Sequence, residues 1–410
     1  MMVQRAACLV IAAAYAFDTL PGQELTTEEA MRLVGDRKAW RAIFSDNYPE
    51  LVAEGFAWPE GPTWIEEEKA LIFSDTITGK LHRFRDGAVS VLRTSAGGCA
   101  VDEDDITVTR LRDAMQPLAA AASGPTDEFT DQYEATKAAV LQALRDQAAA
   151  DARGAQACDA EQLEPGSNGM AIVGDKIAVC QHGARRLAFL DLATMNEELI
   201  VDKHGRARLN GPNDVVATPD ALYFTDPYYA LLEKGRPADA AYADDKSALG
   251  FAGIYRYDLR TKDLEVLESS LARPNGIGIV NKTHLVVSDC CQGHAADCPA
   301  GEARWLVWPF RGDGYLRRGA QVKIVHRDFV KKGCSDGLAF HEASQTLVAS
   351  CPGGVCLVDL DAGEVVAKMH LGRSVSNVAF GGGYAWITAD KSLWRVALRE
   401  ERRDRRRREL

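Results

Sequence analysis

Apolar and polar residues alternate along much of the chain, in short runs separated by turns. Segments such as GIYRYDL (253–259) and SLWRVAL (392–398) place every second side chain on one face. Gly and Asp occur between such runs, at the positions where turns are expected. This combination is typical of antiparallel strands that bury one face. The pattern therefore predicts a mostly antiparallel, all-β protein.

A short motif recurs, and each copy is followed, after a short turn, by an apolar strand. It consists of Ser or Pro, then Glu, Asn or Asp, and in most copies Gly. Its middle residues are Glu60, Asn168, Asn213, Asn275, Asp336 and Asn377. From Asn168 onward these positions are 41 to 62 residues apart, whereas 108 residues separate Glu60 from Asn168. Six repeats of about four short strands each predict a six-bladed β-propeller.

The geometry of a propeller brings the six middle residues of the motif together. The first strand of each blade lines the central channel, so the residue that opens this strand is expected to face the axis. Two carboxylates and four amides would then offer oxygen atoms, which suit Ca²⁺, Mg²⁺ or Mn²⁺ better than soft transition metals. The alternative is that these residues only cap turns. A Glu among them is a poor turn former, which favours a metal site.

Asp214, which directly follows Asn213, receives a different prediction. We expect its side chain to point away from the axis and to tie the turn by hydrogen bonding to the nearby backbone, as Asp side chains commonly do in turns.

The motifs and their flanking sequence resemble the SMP-30/gluconolactonase/LRE-like family, and within it the bacterial type of gluconolactonase. The stretches that carry the resemblance include EGPTWIEEEKALIFSD, QHGARR, RLNGPNDVVATPDALYFTDPYYAL and SDGLAF. The resemblance runs from about residue 54 to about residue 398, with one interruption. It implies a six-bladed propeller with one divalent ion, Ca²⁺ by preference and Zn²⁺, Mg²⁺ or Mn²⁺ as alternatives. The ligands implied by the motifs are Glu60, Asn213, Asn275 and Asp336.

The resemblance also implies substrate contacts. Asn168 would lie beside the ion, and His182 and Arg185 of QHGARR match a family stretch that reaches the mouth of the site. The alternative for His182 is a buried structural role, and for Arg185 an ion pair with a blade carboxylate.

The function implied by the resemblance is metal-dependent hydrolysis of a sugar lactone. A metal open on one side polarises the lactone carbonyl and lowers the pKa of bound water. Asp336 is the candidate general base, and Glu60 is its rival for that role. Hydrolysis of another lactone or of an organophosphate ester, and a non-catalytic binding propeller, are the alternatives, because the fold alone does not decide among them.

A segment of about residues 102–160 interrupts the resemblance. Its Ala-rich part, 127–153, has apolar residues at helical spacing, which predicts a helical insertion between blades. The insertion would either cover the channel mouth or form a solvated surface decoration. Cys99 and Cys158 flank it and are either joined in a disulfide or free.

The two ends of the chain carry further predictions. Residues 24–45 are predicted to form a helix, with Thr26 and Glu29 at capping-box spacing. The apolar N-terminal run resembles a secretory signal peptide, too short to span a membrane stably. It predicts a secreted protein, whereas a chain without such a signal would be cytoplasmic. The predicted parts are a signal peptide (1–17), an N-terminal helical segment (18–50), the propeller (51–398) and a charged tail (399–410).

Charge and composition narrow the choice of partners. The formal net charge of the 410-residue chain is −11 at pH 7, which argues against nucleic acid and suits a site that attracts a cation. The expected partner is a small lactone. Oligomeric state is left open.

Overall fold

A computed structural model describes most of the predicted propeller. The described residues are 31–45, 48–100, 158–159, 161–233, 246–290, 303–317, 322–326 and 335–399. The predicted signal peptide, nearly all of the predicted helical insertion and the tail beyond residue 399 lie outside them. The described strands form six main sheets and one small two-stranded sheet. The protein is therefore an all-β, six-bladed propeller, as the repeats predicted.

The N-terminal part of the described chain contains strand β1 (Arg32–Gly35), helix α1 (Arg37–Ile43) and strand β2 (Glu50–Glu54). The prediction of one continuous helix over residues 24–45 is wrong at residues 32–35, which form β1. This strand pairs with a strand near residue 370. Asp36 begins the helix: its Oδ1 accepts hydrogen bonds from Lys38 N (2.7 Å) and Ala39 N (3.3 Å). Thr26 and Glu29 lie outside the described residues.

The first three blades are antiparallel meanders of four strands. Blade 1 contains β3 (Pro59–Ile65), β4 (Ala70–Asp75), β5 (Lys80–Arg85) and β6 (Ala88–Arg93). Blade 2 contains β7 (Ser167–Val173), β8 (Lys176–Gln181), β9 (Arg186–Asp191) and β10 (Glu197–Val201). A small hairpin follows, with β11 (Lys203–His204) and β12 (Ala207–Arg208). Blade 3 contains β13 (Val215–Ala217), β14 (Ala221–Asp226), β15 (Gly253–Asp258) and β16 (Leu264–Glu268).

The remaining three blades complete the ring. Blade 4 contains β17 (Pro274–Val280), β18 (His284–Asp289), β19 (Ala303–Pro309) and β20 (Val322–His326). Blade 5 contains β21 (Leu338–His341), β22 (Thr346–Cys351), β23 (Gly354–Asp359) and β24 (Glu364–His370). Blade 6 contains β25 (Val375–Gly381), β26 (Tyr384–Ala389) and β27 (Ser392–Ala397). The first strands of neighbouring blades contact one another in a closed cycle, so they are the innermost strands.

The N-terminal strands close the ring. Strand β2 pairs with β27 and gives blade 6 its fourth strand, with Glu50 opposite Arg395. Strand β1 pairs with β24 and adds a fifth strand to blade 5. Trp40 of α1 is fully buried in the apolar cluster shared by blades 5 and 6. Pairing between the two ends of the propeller removes the free edge that an open ring would expose.

The hydrophobic core consists of layers between neighbouring blades. Ile72 and Leu81 of blade 1, for example, pack with Ile177 and Leu190 of blade 2. All residues of β4 are buried, because neighbouring blades cover both of its faces. No helix in the described part of the chain is long and apolar enough to cross a membrane.

Two disulfides join pairs of described residues, and Cys290 is disulfide-bonded as well. Cys99 is bonded to Cys158, as one of the two alternatives from the sequence predicted. Cys351 is bonded to Cys356 across the hairpin of β22 and β23. Cys180 is a free, buried thiol.

Candidate functional site

The openings of the six innermost strands meet at one end of the channel. Asn168 Nδ2 donates a hydrogen bond to Asn213 Oδ1 (2.9 Å), and Asn213 Nδ2 donates to Asn275 Oδ1 (2.6 Å). Asn275 also forms a hydrogen bond to the Asp336 carboxylate. These four residues, which are distant in sequence, therefore form one connected polar cluster.

Glu60 belongs to the same cluster and is held on two sides. Its Oε2 accepts hydrogen bonds from Gly61 N (3.1 Å) and from Asn377 Nδ2 (3.4 Å). Glu60 is only 3% exposed, whereas Asp336 is partly exposed. The structure thus brings together all six middle residues of the motif.

Glycine at the third position of the motif makes this close approach possible. A β-carbon on Gly169 would lie 2.2 Å from Asp214 Oδ1. A β-carbon on Gly337 would lie 2.0 Å from Asn377 Cγ. Each glycine therefore leaves space for a polar side chain that another blade sends toward the axis.

Asp214 faces the centre of the ring, so the prediction that it points away from the axis is wrong. Its Oδ1 accepts a hydrogen bond from Val215 N (2.9 Å), which ties the turn as expected. Its Oδ2, however, accepts from Ile277 N of blade 4 (3.2 Å), and the carboxylate is also hydrogen-bonded to Asn377 of blade 6. The sequence signal was available: Asp214 occupies a position at which most copies of the motif have glycine.

Three carboxylates share this space: Glu60 and Asp214 are buried, and Asp336 is partly exposed. Burial raises the pKa of Glu60 to about 8, with a further contribution from the negative charge of Asp214. Burial also raises the pKa of Asp214 to about 7. The pKa of Asp336 is raised well above its ordinary value by burial and by repulsion from Glu60 and Asp214. In the described part of the chain, no Lys or Arg side chain forms an ion pair with any of the three. The site therefore favours the binding of a cation.

The donor set fits a hard divalent cation. It combines carboxylate oxygens with amide oxygens, and the buried Asn168 Oδ1 has no hydrogen-bond partner. Among the described residues, no three His, Cys, Asp or Glu side chains are grouped so as to hold a metal by themselves. A cation here would therefore depend on the amide oxygens of Asn213 and Asn275 as well as on carboxylates.

Hydroxyl groups near the end of the second strand of three blades hold the main chain of the motif residues. In each case the hydroxyl of one blade donates to the main-chain carbonyl of the motif residue in the next blade. The three bonds are Ser74 Oγ to Asn168 O (2.8 Å), Thr225 Oγ1 to Asn275 O (2.7 Å) and Ser288 Oγ to Asp336 O (2.6 Å). We call Ser74, Thr225 and Ser288 the hydroxyl collar. It fixes the backbone from which the polar side chains project.

Aspartates that directly follow the collar hydroxyls hold the incoming loops. Their carboxylates accept hydrogen bonds from the backbone N–H groups that precede the first strand of the same blade. The pairs are Asp75 with Ala57 and Trp58, Asp226 with Asn210 and Gly211, and Asp289 with Arg273. The sequence signal for this role was the recurring Ser-Asp or Thr-Asp at the end of an apolar run.

His182 and Arg185 lie in the turn between β8 and β9 of blade 2. His182 is fully buried, with Nδ1 3.1 Å from Oε2 of Glu164. Arg185 Nε donates to the carbonyl oxygens of Leu209 (2.8 Å) and Asn210 (3.0 Å). Neither side chain forms a hydrogen bond with the four predicted ligands in the region that the structure describes. Glu164 was missed by the sequence analysis.

A family model and a protein of known name each match most of the chain. The model of the SMP-30/Gluconolactonase/LRE-like region matches residues 58–389. A gluconolactonase of Zymomonas mobilis subsp. mobilis is 25% identical over 358 residues, which cover 85% of this chain and 80% of that protein.

Solved structures share the fold at lower identity. A gluconolactonase from Xanthomonas campestris is 22% identical, with a TM-score of 0.61 over 89% of this chain and 94% of that chain. A calcium-binding regucalcin from Agrobacterium tumefaciens is 13% identical, with a TM-score of 0.52 over 86% of this chain and 95% of that chain. These two similarities establish the propeller fold.

Proposed function

The chain belongs to the SMP-30/gluconolactonase/LRE-like family, and we propose that it is a metal-dependent hydrolase that opens a sugar lactone. The observation that carries the proposal is the cluster of carboxylates and buried amides at one end of the channel, with which no described Lys or Arg forms an ion pair. The name of the Zymomonas relative supports a lactone as the substrate.

Glu60, Asn213, Asn275 and Asp336 would hold one divalent cation. Ca²⁺ is the preferred ion, because the donors are hard oxygens and the Agrobacterium protein is described as calcium-binding. Zn²⁺, Mg²⁺ and Mn²⁺ are the alternatives. When bound, such a cation supplies Lewis-acid polarisation of a carbonyl oxygen and lowers the pKa of water.

Asp336 is the proposed general base. Attack of water on the lactone carbonyl requires a group that accepts a proton, and ring opening requires a proton at the departing ring oxygen. Asp336 is partly exposed and can contact both water and substrate, whereas Glu60 is buried and fixed by two hydrogen bonds. We therefore assign proton transfer to Asp336 and a holding role to Glu60.

Asn168 is the proposed substrate contact within the cluster. Its side-chain nitrogen is already bonded to Asn213, while its buried Oδ1 has no hydrogen-bond partner. Burying an acceptor without a hydrogen-bond partner costs free energy, so a substrate hydroxyl that donates a hydrogen bond to this oxygen would stabilise the complex.

Two disulfides support the proposal that the protein works in an oxidising compartment. Cys99–Cys158 and Cys351–Cys356 are bonds of a kind that persists in secreted proteins and is rare in the cytosol. We accordingly propose the secretory pathway or the extracellular space as its location.

A hydrolysis assay with Asp336→Asn tests the proposed function. The wild-type protein is expected to hydrolyse D-glucono-δ-lactone, and the variant is expected to lose about 100-fold or more in kcat, as is usual for removal of a general base. Asp313→Asn changes an exposed surface aspartate and serves as the matched control. A folded wild-type protein that hydrolyses no lactone would contradict the proposal and favour a binding propeller.

A further inference from the structure

The Cys99–Cys158 disulfide joins the loop that leaves blade 1 to the segment that enters blade 2. Cys99 follows β6, and Cys158 precedes residues 161–166, which run directly into β7. Asn168, the proposed substrate contact, is the second residue of β7. The bond therefore fixes a part of the chain that is close in sequence to a group of the candidate site.

Residues 161–166 cross the end of the ring at which the motif residues meet. Gly166 N donates a hydrogen bond to Thr76 O, directly after β4 of blade 1 (2.7 Å). Leu163 N donates to Leu232 O, between β14 and β15 of blade 3 (2.9 Å). The hydroxyl collar lies at the same ends of β4 and β14. The segment therefore bridges blades 1 and 3 on the side of the candidate site.

The two cysteines of this bond differ in how tightly they are packed. Cys99 is 4% exposed, and its Sγ lies 3.8 Å from Pro165 O. Gly183 contacts the same sulfur: a β-carbon there would lie 2.2 Å from Cys99 Sγ and 2.4 Å from Pro165 O. Cys158 is only half-buried, and its backbone N donates to Ala100 O (3.1 Å). A change at the bond is therefore expected to displace Cys158 rather than Cys99.

From this arrangement we infer that the Cys99–Cys158 disulfide regulates substrate binding: it holds Asn168 in position for a hydroxyl of the sugar lactone, and its reduction weakens binding. This inference rests on the proposed function and adds its regulation. A dithiol reduces the bond with two electrons and two protons: the S–S bond breaks, two Cys thiols form, and the dithiol closes into its own disulfide. Two separate thiols need more room than one S–S bond, so Cys158 and residues 161–166 move away from the tightly packed Cys99. Tight binding of the lactone is then confined to an oxidising compartment, where such a bond persists.

Removal of the bond tests the inference on two lactones of equal ring size. D-glucono-δ-lactone carries hydroxyls that can bond to Asn168, whereas δ-valerolactone carries none. The double variant Cys99→Ser/Cys158→Ser is expected to raise KM for the hydroxylated lactone by about 5-fold or more, because a hydrogen bond to the substrate is lost. Its kcat on that lactone, and both constants for δ-valerolactone, should stay within about 3-fold of wild type, since this bond is not part of the chemistry.

Reduction of the wild-type protein makes the same test without a substitution, and it replaces the double variant if that protein does not fold. Dithiothreitol is expected to raise the same KM by a similar factor, and reoxidation should restore it. The double variant under the same treatment is the matched control, because its KM should not change. Cys351 and Cys356 are 1% and 0% exposed, so their disulfide is expected to resist the reductant. Alkylation of new thiols and mass spectrometry identify the bond that has opened, and thermal melting checks the fold.

The outcomes separate this inference from the proposed function. An unchanged KM without the bond overturns the regulatory role, and so does an equal rise in KM for both lactones. An effect of dithiothreitol that persists in the double variant overturns it as well, because another bond is then responsible. In each of these cases lactone hydrolysis by the oxidised wild-type protein still stands. An oxidised wild-type protein that hydrolyses neither lactone overturns the proposed function and this inference together.

Discussion

At the scale of single residues, the third position of the motif decides what the centre of the ring can hold. Because glycine has no side chain, a neighbouring polar group can approach the axis at this position, as Asp214 does beside Gly169. Asp214 uses the same position to add a third carboxylate. The glycines of the motif are thus part of the site, although they offer no ligand atom.

Gly169→Ala should disturb the site directly. The added β-carbon would lie 2.2 Å from Asp214 Oδ1, so the carboxylate has to move. We expect a loss of about 1–3 kcal/mol in the free energy of unfolding, measured in urea, together with lower lactone hydrolysis. Gly312→Ala is the control, because no neighbouring atom lies within 4 Å of its added β-carbon. A Gly169→Ala protein as stable and active as the control would contradict the packing described.

His82 should make the fold sensitive to acid. Its ring packs against the rings of Phe56 and Phe73, at centroid distances of 5.1 and 5.2 Å. Burial lowers its pKa to about 4, although the charge of Asp75 opposes this shift. Below the unfolded pKa of about 6.5, the unfolded chain binds the proton more readily than the folded protein does. The contribution of His82 to stability is therefore constant above pH 6.5 and falls as the pH drops from 6.5 toward 4.

His82→Leu tests this pH dependence, because Leu is similar in size and does not titrate. As the pH falls from 6.5 to 4, the unfolding free energy of the wild-type protein should decrease more steeply than that of the variant. The difference in slope should be up to about 1.4 kcal/mol for each pH unit. Urea unfolding at several pH values in that range measures the slope. The same slope in both proteins would show that His82 does not cause it.

At the scale of strands, local pattern and distant pairing contribute different information. The alternating run at 253–259 was predicted as a strand and forms β15, and the run at 392–398 forms β27. Strand β1 was missed, because it owes its conformation to pairing with β24, more than 300 residues away, which no local periodicity shows. The same limit explains why Glu164 was missed: its contact with His182 is made in space and no motif indicates it.

Ser288→Ala tests the hydroxyl collar. Ser288 Oγ donates to the carbonyl oxygen of Asp336 (2.6 Å), so its loss should let the proposed general base shift. We expect a decrease of about 10-fold in kcat on a lactone and about 1 kcal/mol in stability. Ser90→Ala removes an exposed hydroxyl that donates only a long hydrogen bond to Arg83 O (3.4 Å), and it should leave both quantities nearly unchanged. Equal effects of the two substitutions would contradict a positioning role for the collar.

At the scale of the whole molecule, the ring depends on its N-terminal strands. The repeats predicted six blades, and six blades are present, but the sequence did not show that β2 completes blade 6. The six motif residues could be located from the repeat alone, since a ring forces repeated positions to converge. The repeat also marks Asp214, which stands where most copies have glycine, but the orientation of its side chain depends on the groups that surround it.

Trp40→Ala tests the closure of the ring. Trp40 is fully buried and packs against Phe44, with ring centroids 4.3 Å apart, in the cluster shared by blades 5 and 6. Its removal should cost about 3–5 kcal/mol of unfolding free energy, measured in denaturant with the disulfides intact. Tyr48 is 51% exposed, and Tyr48→Ala should cost less than about 0.5 kcal/mol. A similarly small effect for Trp40→Ala would contradict a role of the helix in closure.

The central claim is that the oxygen donors at the channel end hold a divalent cation that lactone hydrolysis requires. The most direct measurement is the rate of D-glucono-δ-lactone hydrolysis before chelation, after exhaustive chelation and dialysis, and after Ca²⁺ or another divalent ion is returned. The account predicts that activity disappears with the metal and returns with it, in a protein that stays folded throughout. Full activity in the chelated protein would contradict it.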